Sequence, residues 1–109
     1  MRKAALYTHF LQLKNVIFMK TKSTKPTQFE FYAPSAKQVG LAGTFNGWDA
    51  VKNPLKKSNV GNWTISLYLE PGRYEYRFLV DGNWENDQRP TVACVPNAFG
   101  TWNCVVEVR

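Results

Sequence analysis

The sequence predicts an all-β chain folded as an antiparallel β-sandwich, and three observations carry that expectation. From Thr27 onward apolar residues recur at every second position, the period of a half-buried strand. The alternating runs are punctuated by turn signals such as Pro71-Gly72 and Asp81-Gly82. Aromatic residues reach 15%, and six Pro and seven Gly divide a chain of 109 residues, a balance that suits short strands better than long helices. That length is one domain's worth.

Residues 1–26 form a basic leader and linker ahead of the domain. Arg2 and Lys3 precede a partly apolar stretch that ends at Phe18, but His9, Gln12, Lys14 and Asn15 interrupt it and no small-residue cleavage site follows. Secretion is therefore not expected, and the cytoplasm is the default compartment. Ala5, Leu6, Phe10, Leu13, Ile17 and Phe18 recur at near-helical spacing, which fits either a short amphipathic helix touching a membrane or partner, or a frayed terminus. The frayed terminus is the plainer reading. Met19 is an alternative translation start, and Lys20 to Thr27 reads as a solvated linker.

The domain itself spans residues 27–109. Phe29 and Phe31 point one way, and Ala33-Pro34-Ser35 stops their strand. Val39 and Leu41 make a second strand before Gly43. Trp63, Ile65, Leu67 and Leu69 give a third, closed by Pro71-Gly72. Tyr74, Tyr76, Phe78 and Val80 give a fourth, closed by the Asp81-Gly82 hairpin signal, to which Asp81 is committed. Trp102, Cys104, Val106 and Val108 form the inward face of a last strand, with Thr101, Asn103, Val105 and Glu107 opposite. Five or more such strands read as a sandwich.

Charge and composition remove several functions. The net charge of +6 comes from residues 1–26, which hold six basic residues and no acid; basic and acidic residues balance over 27–109. A nucleic-acid binder carries its basic stripe on the fold, so that partner is not expected. No run of about 18 apolar residues spans a membrane. His9 is the sole histidine and lies in the leader, so a histidine triad is excluded from the domain. Cys94 and Cys104 lack the companions of a zinc site and read as two buried thiols rather than a disulfide. Glu85 and Asp87 share a short loop, with nothing in sight to raise either pKa for acid catalysis. No phosphate-binding loop occurs, and neither cofactor nor metal nor catalytic residue is expected.

Two tryptophans escape the alternation. Trp48 follows the turn Thr44-Phe45-Asn46-Gly47, and Trp84 sits just past the Asp81-Gly82-Asn83 tip, outside the strand register. Indoles held outward at turns could stack on the apolar C–H face of a pyranose, whose hydroxyls then need planar donors around the rim. Arg77, Asn103 and Thr101, on outward-facing strand positions, are suitable.

These residues carry a resemblance. Gly40 to Trp48 is similar to the G-x-F-N-x-W signature of the family-48 carbohydrate-binding modules. Pro71 to Trp84 resembles that family's PG-x-Y-x-Y-K/R-F-x-V-D-G-x-W run, and Phe99-Gly100-Thr101-Trp102-Asn103 its closing L-G-T-x-N. The family includes the glycogen-binding domain of the AMP-activated protein kinase β subunit and modules preceding branching and debranching enzymes. The resemblance covers about residues 28–109. It implies an immunoglobulin-like, early-set sandwich that recognises α-1,4-linked glucan (glycogen, starch or maltooligosaccharides). It also implies stacking by Trp48 and Trp84, hydrogen bonds from Arg77, Thr101 and Asn103, and insertion of Phe99 into a curved glucan. Arg77 and Phe99 stand where the kinase domain has Lys and Leu. Trp102, where that domain has Val, and Trp63 are assigned to the core. A glycan-metabolising enzyme or kinase in trans is the protein partner this implies. The competing readings are a docking adaptor of the same fold, which would cover Trp48 and Trp84, and an accessory piece of an α-glucan-active enzyme.

Overall fold

The computed structural model describes residues 23–109, so the expectations for the leader up to residue 22 lie outside the described residues. Eight strands follow one another: β1 (Lys25–Tyr32), β2 (Val39–Gly43), β3 (Lys56–Lys57), β4 (Asn62–Leu69), β5 (Gly72–Val80), β6 (Asn83–Glu85), β7 (Ala93–Pro96) and β8 (Trp102–Val108). They form two antiparallel sheets. One has the order β1-β4-β3; the other has the order β2-β5-β8-β7, with β6 also paired to β5. The all-β sandwich is therefore present, and among the described residues no helix is long and apolar enough to cross a membrane.

The core lies between the sheets. Phe29, Phe31, Trp63 and Leu69 descend from the first sheet; Leu41, Tyr76, Phe78, Cys104 and Val108 rise from the second. Aromatic rings lock the layers together. Phe29 meets Tyr76 edge-on at 5.0 Å between centroids, and Phe31 meets Phe78 at 5.1 Å. Such pairs add to their area of burial, because a positive ring edge seeks a negative face. Trp63 is core as expected, its indole N–H donating to the Ala33 carbonyl at 2.9 Å.

Several expectations need correction. β1 begins at Lys25, two residues before the Thr27 boundary, because Lys25 and Pro26 already sit opposite Leu69 and Tyr68. Trp84 is in strand register after all, on β6 opposite Leu79. Trp102 is not core: it is 53% exposed. The cause is a split edge. β6 pairs with β5 from Phe78 onward, whereas β8 pairs with β5 only as far as Tyr76↔Cys104. Trp102 therefore faces only Pro96 of the edge strand β7, and the Asn86 amide donates to its carbonyl at 3.1 Å. The two thiols are both free, yet only Cys104 is buried, because Cys94 lies opposite it on the exposed edge strand.

Candidate carbohydrate-binding site

Three segments on the outer side of the larger sheet build a concavity of about 680 Å³. The first is the loop after β2. Gly47 and Trp48 are consecutive left-handed residues, with φ of 69° and 61°. A bulky residue with positive φ is an outlier that surrounding structure must hold in place. Here Asn46 does so. Its carboxamide oxygen accepts from the amides of Gly43 and Asp49 at 3.0 and 3.2 Å, and its nitrogen donates to the Leu41 carbonyl and to Asn53 Oδ1. The loop then presses onto β2 so closely that a Cβ on Gly40 would lie 2.5 Å from the Ala50 carbonyl oxygen. Trp48 is left 37% exposed at its tip.

The β5–β6 hairpin is the second segment. Asp81 and Gly82 both take positive φ, 48° and 84°, the backbone of the tight turn that follows strand twist. The Asp81 carboxylate accepts the amides of Lys37 and Gln38, each at 2.9 Å, so its commitment to structure is as expected. The turn brings Trp84, 45% exposed, back beside β5 on the face that carries Arg77.

The third segment is the turn between β7 and β8. Phe99 stands 90% exposed at its tip. The Phe99 and Thr101 amides donate to Asn97 Oδ1 at 2.9 and 3.1 Å, while Asn97 Nδ2 donates to Thr101 Oγ1 at 2.7 Å and to Asn103 Oδ1 at 3.0 Å.

Arg77 lies between these segments. Its Nε donates to Asn86 Oδ1 at 2.6 Å and its Nη1 to Thr101 Oγ1 at 3.3 Å. Glu75, two residues before Arg77 on β5, pairs with Arg73 at 3.3 Å and accepts from Asn103 Nδ2 at 3.1 Å. Asn103 is only 8% exposed, deeper than its outward register suggested, with both ends of its amide engaged. All six residues singled out by the sequence, Trp48, Arg77, Trp84, Phe99, Thr101 and Asn103, line this one concavity. Thr44, Glu75, Asn97 and Ala98 line it too and were missed. Asn97 had a visible signal, an Asn two residues before Phe99 in a Gly-containing turn, where Asx side chains bind local amides.

Behind the site lies a polar cluster in which Tyr76 and the Asp87 carboxylate are buried and Arg89 is half-exposed. The Asp87 carboxylate receives the Tyr76 hydroxyl at 2.7 Å and two hydrogen bonds from the Arg89 guanidinium at 2.7 and 2.9 Å. Burial works to raise the Asp87 pKa, but the side-chain and backbone hydrogen bonds from Arg89 and the bond from Tyr76 outweigh it, leaving the carboxyl below its usual range. Burial, with Asp87 beside it, pushes the Tyr76 phenol upward. The Cys104 thiol is raised to about 11, again chiefly by burial. Asp87 is thus a structural anion, held at the start of the segment that also puts Asn86 against Arg77.

Flat apolar plates beside a rim of amide and guanidinium donors give this face the form of a carbohydrate-recognition module, a class that binds and does not catalyse. Comparison with known sequences makes the class definite. Residues 25–109 match the family described as the glycogen recognition site of AMP-activated protein kinase, and the chain belongs to that family. It is 38% identical over 85 residues to the 5'-AMP-activated protein kinase subunit beta-1 of Sus scrofa, a match covering 78% of this chain and 65% of that sequence. It is 39% identical over 75 residues to FLOURY ENDOSPERM 6, chloroplastic, of Oryza sativa subsp. japonica, covering 68% of this chain and 14% of that one. A third relative, PTST homolog 2, chloroplastic, of Arabidopsis thaliana, is 46% identical over 59 residues, covering 53% and 11%. The chain thus spans less than two thirds of each of these relatives.

Proposed function

We propose that this protein is a non-catalytic α-glucan-binding module. In this reading Trp48 and Trp84 stack on the apolar faces of successive glucose rings, and Phe99 reaches into the curve of the chain. Arg77, Thr101 and Asn103 bond the hydroxyls. The observation that carries the reading is convergence: residues from three segments far apart in sequence meet on one concavity, with three aromatic side chains left open. The adaptor alternative needs the indoles covered, and in the chain itself both are accessible. Glu75, the carboxylate in the concavity, is held by Asn103 and Arg73, which supports binding rather than acid–base chemistry.

The α-glucan is the ligand; an enzyme or kinase of glucan metabolism acting in trans is the protein partner this reading adds, and the cytoplasm its compartment. A shallow site with a few stacked rings must offset the cost of immobilising a flexible chain. The expected Kd is therefore micromolar to millimolar, roughly −8 to −4 kcal/mol. Titration with maltoheptaose or β-cyclodextrin, followed by tryptophan fluorescence, tests it. Saturable change in the wild type, lost in Trp48→Ala and Trp84→Ala and not produced by cellohexaose, is the expected result. No change at millimolar sugar sinks the reading and turns attention to a protein partner.

A further inference from the structure

Hydrogen-bond polarity in the β7–β8 turn is fixed by groups that have no choice. The amides of Phe99 and Thr101 can only donate, so the Asn97 atom facing them is its oxygen. The other end of that carboxamide is then the NH₂ group, which faces Thr101 Oγ1 and Asn103 Oδ1 at 2.7 and 3.0 Å. The far end of Asn103 is accordingly its own NH₂, and it meets a group able only to accept, Glu75 Oε1 at 3.1 Å. The chain of polarity runs from two backbone amides through Asn97 and Asn103 to a carboxylate, with every link consistent.

Thr101 is where this chain touches the open site. A hydroxyl has two acceptor lone pairs and one proton. Both lone pairs of Thr101 Oγ1 are occupied, one by Asn97 Nδ2 and the other by Arg77 Nη1, which cannot accept. The proton has no partner in either direction and is left to the concavity that Thr101 lines.

Given the glucan reading, on which this rests, we infer that Asn97 is the positioning residue of the site: it makes Thr101 a hydrogen-bond donor toward the ligand and aims the Asn103 amide beside it. The sugar atom above Thr101 is consequently one that accepts, a hydroxyl, ring or glycosidic oxygen. Arg77 and the second N–H of Asn103 also offer donors, so this side of the concavity selects an oxygen-rich acceptor edge. The aromatic plates supply area; the amide chain supplies orientation.

Asn97→Asp isolates this role. A carboxylate keeps an oxygen for the amides of Phe99 and Thr101, and so keeps the turn, but replaces the donor facing Thr101 and Asn103 with an acceptor. The Thr101 proton then turns inward. With maltoheptaose as the probe, Asn97→Asp is expected to bind about tenfold more weakly than wild type, the scale of one or two lost hydrogen bonds in a partly desolvated site. The melting temperature should fall by only a few degrees, because the turn keeps both amide bonds while Asn103 Oδ1 loses its donor. Two double variants assign the mechanism. The loss should shrink in a Thr101→Val background, where there is no hydroxyl to turn, and persist in a Phe99→Ala background. A wild-type affinity for Asn97→Asp, or a loss equally large in the Thr101→Val background, overturns the assignment while the glucan reading stands. Absence of binding by the wild type overturns both.

Discussion

Trp48 shows how a single residue can sacrifice local comfort for position. A left-handed backbone costs an ordinary L-residue about 1–2 kcal/mol, and Trp48 adopts one at φ 61°. Its neighbour Gly47 pays little for the same conformation. In most structured positions Gly is less stable than Ala by about 0.5–1 kcal/mol; here the order should reverse. Trp48→Gly is expected to be more stable than Trp48→Ala by about 1 kcal/mol in urea unfolding, while both fail to bind maltoheptaose. Equal stability, or Ala ahead, would mean that the left-handed backbone is not what the loop imposes. Turn chemistry made Trp48 and Trp84 legible in the sequence: Gly47 marks the loop that carries Trp48 outside any strand, and Asp81-Gly82 marks the reversal that returns Trp84 on the short strand β6. Asn97 was legible only as a turn-former, an Asn ahead of Gly100; that its amide meets Thr101 and Asn103 is set by the fold, and spacing along the chain does not encode it.

At the scale of elements, the strands legible in the sequence are those with one face in the core: β1, β2, β4, β5 and β8. Their alternation is the imprint of burial. β3 and β6 are too short to show a period, and β7 lies on an open edge where most of its side chains face solvent. Trp102 was misjudged for a related reason, because alternation gives the face of a residue but not the point where its neighbouring strand departs. The Cys94–Cys104 pair turns this geometry into a measurement. The two cysteines are opposite one another on β7 and β8, one exposed and one fully buried. A thiol needs access and thiolate character to react, and Cys104 has neither, its pKa raised to about 11 by burial. Native protein near pH 8 should give one fast-reacting thiol with a chromogenic disulfide reagent, and two after denaturation. Two fast thiols in the native state would mean that β7 does not stay paired on β8.

The whole molecule divides its labour between two sheets. The larger one carries the concavity on its outer side; the smaller one, with Phe29, Phe31 and Trp63, backs it across the core. Charge is divided as well: residues 1–24 hold five basic residues and no acid, whereas residues 25–109, from the start of β1, hold nine basic against eight acidic. Asp87 therefore matters more to acid stability than to any overall field. Its carboxylate ties the segment after β6 to Tyr76 and Arg89, and it ionises more readily in the fold than its ordinary value of 3.8 would allow. A group with a depressed folded pKa contributes stability that is present above its unfolded pKa and is lost as pH falls through the folded one. At neutral pH, Asp87→Asn should be less stable than wild type by about 1–3 kcal/mol, because buried Tyr76 and the half-exposed Arg89 guanidinium both lose a charged acceptor. Below about pH 4 the wild type surrenders the same advantage, so the two stability curves, measured by urea unfolding at successive pH values, should converge toward acid. A gap that stays constant down to about pH 3 would assign the loss to packing rather than to the carboxylate's charge.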